Sequence, residues 1–518
     1  MGHRVISRRT LLGAGSTAAG LALLPAAPVA AETSSTVSST ASSTPWSSLA
    51  NRLSGTLVLP TDSYYTIARQ VELAQFDAVN PQAVAYCQSP ADVAACVRFA
   101  QDQGVRTAVR SGGHNYGGWS TTPGLIIDVS RLNAVTVNSS SSVEIGPGAQ
   151  NVNILNALAP HSLVVSEGGC PTVCAGGFLQ GGGFGFLTRP TGMACDAITS
   201  ADLVLADGST VTASATQYPD LFWAIRGGGG GNFGIVTKFT VTPHSGDQMA
   251  FSNLIFPYDS MADVLDGVAR WLVDAPHTIG GGAYVVQPDA APGSVPQANV
   301  FLASRGTPTE LAGEAARLTA LTGAPLQQQS GVMTYQQLMM MIFGCSNLTE
   351  AQCQRSGKTP QGTLSRPAYG VERTRLGSSP YPASGWADVM TAFDANRRTG
   401  QSRYLDFHFF GGEANTPART DTAYVHRDSL FSVNYRVFIN DPAQVTDEAK
   451  AVANSWVGNG FATIDPLSNG ETYQNWMDPS LKAWKASYYA ENYSRLARVK
   501  AKYDPYRFFC FPQAIGTV

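Results

Sequence analysis

His114 lies between two glycine pairs in RSGGHNYGG, and Cys170 follows another pair in EGGCPTVC. Imidazole and thiol are nucleophiles and proton carriers. Glycine, with no Cβ, lets a ligand come against the backbone and offers N–H groups to anions. Dense clusters stand at Gly112-Gly113, Gly176-Gly177, Gly181 to Gly183 and Gly227 to Gly231. Together they point to a large phosphate-bearing cofactor gripped from several sides. A Rossmann fingerprint would need G-x-G-x-x-G directly after the first strand of a βαβ unit, and Gly181-Gly182-Gly183-Phe184-Gly185 matches it only superficially. The tail adds the paired phenols of YYAEN, whose ordinary pKa of about 10 must be lowered, or assisted, for either to serve as a base near neutral pH.

Other chemistries find little support. His114, His408 and His426 are far apart, no H-E-x-x-H or C-x-x-C occurs, and no G-x-S-x-G elbow is present, so metal catalysis and serine hydrolysis are disfavoured. Lys plus Arg number 34 against 37 Asp plus Glu, a net charge of -3 without runs of one sign, which sets nucleic acid aside as a partner.

The elements that must position these residues follow from pattern. SPADVAACVRFAQDQG reads as a helix opened by Ser89 and Asp92 and stopped by Gly104, and VRTAVR and GLIIDV are strand runs joined by the loop carrying His114. SSVEI is a further strand, VNILNALAPHSLVV a helix leading into a strand, and Asp207-Gly208 a hairpin turn. Past about residue 245 glycine thins out. MADVLDGVARWLVDA reads as a helix, and RYLDFHFFGGEA and SLFSVNYRVFIN as long alternating strands, together a sheet backed by helices. Asp406 and His408 alternate on one strand and are candidate cavity residues. The tail reads as one helix stopped at Asp504-Pro505. Of eight cysteines, Cys345 and Cys353, flanking SNLTEAQ, are the best candidates for a disulfide.

The N-terminus has Ser7-Arg8-Arg9-Thr10-Leu11-Leu12, a mild apolar run and small residues at Ala30 and Ala31, the signature of a twin-arginine export signal over residues 1–31. Residues 32–48 read as a Ser/Thr-rich linker. The folded protein is expected to begin near Leu49, without a membrane span in its mature form and with a secreted or periplasmic location.

Four motifs in order, RSGGHNYGG, GGCPTVCAGGFLQGGGFGFLTRPTGMACD, DLFWAIRGGGGGNFGIVT and YYAENYSRLARVKAKYDPYRFFCFPQ, resemble those of the berberine bridge enzyme-like family within the vanillyl-alcohol oxidase superfamily, from about residue 75 to the C-terminus. The resemblance implies an α+β, two-domain PCMH-type fold. An FAD-binding domain of two α/β subdomains spans 49–245, a substrate domain with an antiparallel sheet backed by helices spans 246–461, and a segment returning to the FAD domain spans 462–518. It implies FAD bound bicovalently, through His114 to the 8α-methyl and through Cys170 to C6. Cys174 stands where relatives have glycine and competes with Cys170. Arg110, Ser111, Gly112, Gly113 and Asn115 come to the cofactor from the first motif, Val173, Gly176, Gly177, Gly182 and Gly183 from the second, Gly234, Ile235 and Val236 from the third and Asn492 from the tail. Arg110, Ser111 and the glycine amides would face the pyrophosphate.

Tyr488 or Tyr489 would be the base, and Tyr116, Asn434 and Tyr435 would contact substrate, although sheet packing is an equal reading of Asn434 and Tyr435. Val173 matches the small residue that lets dioxygen reach the flavin, whereas Phe178 replaces a usual histidine and puts oxygen reactivity in doubt. The implied activity is oxidation of an alcohol or hemiacetal carbon, an oligosaccharide giving a lactone, with dioxygen reduced to hydrogen peroxide. A secondary-metabolite tailoring oxidase, a non-catalytic flavin-binding protein and a flavin reductase are the alternatives.

Overall fold

The computed structural model describes residues 45–246 and 248–516. The export signal read over residues 1–31 and most of the linker lie outside the described residues. The last linker residues are helical: Trp46–Ala50 packs the Trp46 ring 5.3 Å from Phe99 and buries Leu49.

The first half is two small sheets. In one, the strands Ala83–Tyr86 and Thr107–Arg110 both run parallel to Leu125–Asp128, and Thr56–Val58 adds an antiparallel edge. The helix Pro90–Asp102 covers it and begins as expected, with the Ser89 hydroxyl accepting from Asp92 N and proline in the first turn. The other sheet is antiparallel, in the order Val135–Ser139, Ser142–Ile145, Ile235–Val241, Ile198–Val204, Thr210–Ser214. Gly208, at φ 76°, makes the turn joining its last two strands.

The second half is a seven-stranded antiparallel sheet. Its order is Gln327–Thr334, Gln248–Ile255, Gln297–Ser304, Ile279–Gln287, Ser402–Phe409, Phe431–Ile439, Tyr369–Gly377. Alternate residues of a strand point to opposite faces. One face, including Val285, Leu405, Phe407, Val433 and Tyr435, forms a core with the helices Met261–Leu272, Pro308–Thr322, Ala383–Asp394 and Asp447–Ile464. The other presents Tyr284, Glu372, Asp406, His408, Asn434 and Arg436 toward the first half.

This is the α+β architecture expected: a cofactor half of two subdomains and a helix-backed antiparallel sheet. Cys345 and Cys353 are bonded, with Cα atoms 5.8 Å apart.

One local reading changes. The tail is two helices, Trp484–Tyr489 and Tyr493–Tyr503, broken at Ala490, whose φ is 40°. The break brings Asn492 Nδ2 to the carbonyls of Arg419, Thr422 and Ala423 at 2.7, 3.2 and 3.4 Å. On both sides of the break the chain returns to the core of the first half, burying Tyr488 and Tyr489 before it and Leu496 and Ile515 after it.

Candidate active site

The strand Thr107–Arg110 ends in the loop bearing His114. Arg110 does not face the cofactor, as the sequence implied. Its Nε meets Asp128 Oδ2 at 2.5 Å and its Nη2 donates to Ala68 O at 2.7 Å. A guanidinium buried to 2 % must satisfy its donors internally, and this one braces the strand below the loop. Asn115 Oδ1 accepts from Gly117 N at 2.8 Å and closes the turn, while its Nδ2 lies 3.0 Å from Met477 Sδ in the tail.

His114 and Cys170 are brought together. Thr172 Oγ1 lies 2.9 Å from His114 Nε2 and 3.7 Å from Cys170 Sγ. The segment is held by Asn151, whose Nδ2 donates to Cys170 O and whose backbone N donates to Val173 O, each at 2.9 Å. Burial depresses the His114 imidazole and raises the Cys170 thiol to about 11. Glu72 Oε2 is 3.6 Å from His114 Nε2, and Arg355 Nη1 is 3.7 Å from the same carboxylate oxygen. Cys174, the competing thiol, is buried and turned to Gly148 O at 3.4 Å.

Glycines line a cradle beside this pair. A Cβ added at Gly177 or Gly231 would meet nothing within 4 Å, while one at Gly230 would come 3.4 Å from Gly177 Cα, so two glycine segments lie close to each other with open space beside them. Ser111 Oγ and Gly176 adjoin it: a Cβ on Gly176 would stand 2.9 Å from that hydroxyl. Gly112 is packed against Cys174 and Gly113 against Val71, with Gly113 O accepting from Glu72 N. Half-buried Val173 follows Thr172. These residues fit an FAD: bare backbone for the phosphates, and two nucleophiles close enough to reach positions 8α and C6, which share one ring.

Gly182 and Gly183 are different, because Cβ atoms there would meet the Tyr424 ring at 2.9 Å and Ala194 Cβ at 2.5 Å; they make room for protein, not ligand. Ile235 and Val236 bury their side chains in the two cores and can offer only backbone, as can Gly234, packed on Val204 O. Up to Val236 the strand pairs only with Ile198–Val204, its second neighbour joining at Phe239. Asn492, spent on three carbonyls, is a clamp and not a cofactor contact.

The two tail tyrosines cannot serve as the base. Tyr488 Oη accepts from Asp478 N at 2.9 Å, and Tyr489 Oη donates to Gly228 O at 3.1 Å. Both are wholly buried in the core of the first half, and burial pushes both phenols upward.

A different acid–base group faces His114 and Cys170, on the polar face of the sheet. Tyr116, two residues past His114, stands among Cys170, Glu372 and Arg436. Asn434 Nδ2 donates to Glu372 Oε1 at 3.0 Å, Thr374 Oγ1 donates to Asn434 Oδ1 at 2.7 Å, and Arg436 Nη2 meets Asp406 Oδ2 at 2.8 Å. Burial raises the Glu372 carboxyl to about 7, against the opposing pull of Arg436 and hydrogen bonds from Asn434 and Tyr116. Tyr435 lies on the other face, its hydroxyl donating to Val389 O at 2.7 Å, so the pair Asn434-Tyr435 cannot act together. His408, on the same face, is uncharged at neutral pH, since burial lowers it to about 4; it stacks on Trp476 at 5.4 Å beside Tyr284 and Phe184.

Sequence reasoning missed Glu372, Arg436, Glu72, Thr172 and Trp476. Glu372 and Arg436 had the period-2 signal already used for Asp406 and His408. Glu72 and Thr172 had none. Among the described residues no cluster of His, Cys, Asp or Glu could hold a metal ion, and no helix is long and apolar enough to cross a membrane.

Residues 81–214 match the family described as FAD binding domain, and residues 472–516 the family described as berberine and berberine like. An FAD-linked oxidoreductase of Bacillus subtilis (strain 168) is 27% identical over 90% of this chain and 97% of its own. A xylooligosaccharide oxidase of Thermothelomyces thermophilus is 28% identical over 84% of this chain and 87% of its own. Among solved structures, Physcomitrella patens BBE-like 1 superposes with a TM-score of 0.80, at 24% identity, over 90% of this chain and 98% of that one.

Proposed function

We propose, for a chain that belongs to the berberine bridge enzyme-like FAD-linked oxidoreductases, that it oxidises a hydroxyl-bearing carbon of a small carbohydrate, an anomeric carbon giving a lactone, and passes the electrons to dioxygen. The observation that carries this reading is the convergence at Tyr116 of the nucleophile pair with a carboxylate poised near neutrality. FAD, held in the glycine cradle and linked through His114 and Cys170, supplies the hydride acceptor.

The chain's own residues do the rest. Glu372 takes the hydroxyl proton as the carbon loses its hydride. Asn434 and Tyr116 hold that carboxylate in place, and Arg436, paired with Asp406, keeps positive charge beside it. Trp476, His408, Tyr284 and Phe184 form an apolar aromatic wall that excludes water and takes a sugar face. The same wall supports a second reading, a planar secondary metabolite in place of the sugar. The twin-arginine signal supports export after folding, with flavin already bound.

The test is oxygen uptake and peroxide release by the purified protein with xylo-, gluco- and chito-oligosaccharides and with aromatic alcohols. Turnover of an oligosaccharide with lactone formation bears the reading out. Turnover of aromatic alcohols alone moves it to the second. Flavin reduction by neither class sinks both. Acid precipitation, which strips flavin that is not covalently held, tests the double link.

A further inference from the structure

Attaching a flavin through a thiol and an imidazole requires each to lose a proton, and both start badly placed to do so. The Cys170 thiol is raised by burial, and a ring alkylated on one nitrogen stays cationic unless the other gives up its proton. One hydroxyl touches both. Thr172 Oγ1 is 3.7 Å from Cys170 Sγ and 2.9 Å from His114 Nε2, and Glu72 Oε2 stands 3.6 Å beyond, beside the same ring nitrogen. Asp, Glu and the remaining hydroxyls make no other hydrogen bond to Cys170 Sγ among the described residues.

Resting on the double-link reading above, we propose that Thr172 is the positioning residue for attachment, its hydroxyl receiving the thiol proton and relaying protons through the His114 ring edge to Glu72. A hydroxyl can accept from S–H while donating to a ring nitrogen, which makes the three groups a chain ending at a carboxylate. Each attachment joins S–H or N–H to a C–H. The S–C or N–C bond forms, one proton leaves from each partner, and the electron pair passes to dioxygen, giving one hydrogen peroxide per bond. The backbone of residues 170–173 is held independently of the hydroxyl. Val152 N donates to Pro171 O at 3.1 Å, and Asn151 holds the carbonyls of Cys170 and Val173. Removing the hydroxyl therefore removes the relay and leaves the loop.

The test measures attachment, not turnover. Wild type, Thr172→Val, Thr172→Ser and Glu72→Gln are produced as full-length chains, and flavin-bearing peptides containing His114 or Cys170 are quantified by mass after denaturation. Losing a proton acceptor slows such a step roughly a hundred-fold. Thr172→Val is therefore expected to hold FAD by its absorption spectrum yet carry little on Cys170, recovering as pH is raised toward thiol ionisation. Thr172→Ser should match wild type, and Glu72→Gln should slow attachment at both sites. Full attachment in Thr172→Val at neutral pH overturns the relay. If Thr172→Val loses flavin altogether, Glu72→Gln decides, and full attachment there overturns the relay. A wild type with flavin on neither peptide overturns the double-link reading itself and the relay with it.

Discussion

Among the described titratable side chains facing His114 and Cys170, only Glu372 has a carboxyl lifted by burial into the working range, to about 7. A general base must be ionised, so kcat should rise as pH increases through about 7 and level off above it. Glu372→Gln is expected to lower kcat by about 10²–10⁴ and to abolish that rise, leaving flavin content unchanged; a steady-state pH profile beside an absorption spectrum checks both. Asn434 donates to the ionised form and so holds its pKa down, and Asn434→Ala should move the rise to higher pH. A rise unmoved in Asn434→Ala would assign the titration elsewhere. That His114 sits against bare backbone was legible, because glycines on either side of one imidazole have few other uses, and only the family resemblance joined Cys170 to it. The proposed base was not legible: in YGVERTRLG, Glu372 sits beside Arg373 and near Arg375, and such a charged strand reads as solvent-facing until the opposite half of the molecule covers it.

Alternation along a strand was legible too, and it put Asp406 and His408 on one face; but sequence does not say which face meets the cofactor half, and it gave Asn434 and Tyr435 the same candidate role though neighbours must diverge. The break at Ala490 left no sign either, since alanine favours a helix and the competing force is Asn492 bonding to a loop some seventy positions away in sequence. Contacts of this kind also fasten the two halves. Arg189, on the short helix Thr188–Thr191, donates to Ile279 O, Phe410 O and Ala275 O at 2.8, 2.7 and 2.8 Å, tying the ends of two sheet strands and the turn after Met261–Leu272 to the cofactor half. It forms no ion pair among the described residues, and burial lowers its pKa to about 10. Arg189→Met strands three carbonyls at roughly 1–3 kcal/mol each. We expect a large drop in the urea midpoint and a raised KM, as the sheet loses its setting over the cofactor half, with lysine restoring only part because it cannot span the same fork. An unchanged midpoint would mean the halves are joined by packing alone.

At the scale of the whole molecule, buried charge and the returning tail set stability. Glu167 is 1 % exposed and raised by burial to about 8, well above an unfolded carboxyl. Between the unfolded value and about 8 the folded chain binds the extra proton, so stability is complete at the acid end and falls as pH rises through that window. Glu167→Gln should erase this slope, gaining most in Tm above pH 8, and parallel melting profiles for the two proteins would remove Glu167 as its source.

The tail's contribution is larger. Residues after the helix Asp447–Ile464 give the core of the first half Tyr473, Leu481, Trp484, Tyr488, Tyr489, Leu496, Val499 and Ile515. Lys500 is buried among Asn232 O, Asp504 and Phe509 O. At roughly 1.5–3 kcal/mol for each large apolar side chain, this burial exceeds the ~5–15 kcal/mol by which domains are stable. A chain ended after Asn469 is therefore expected not to fold its cofactor half, though His114, Cys170 and every cradle glycine are present. Near-UV circular dichroism should be weakened and flavin absent, and residues 470–518 supplied as a separate chain during expression should restore both. A truncated chain that folds and holds flavin unaided would reduce the tail to a cover over a finished core.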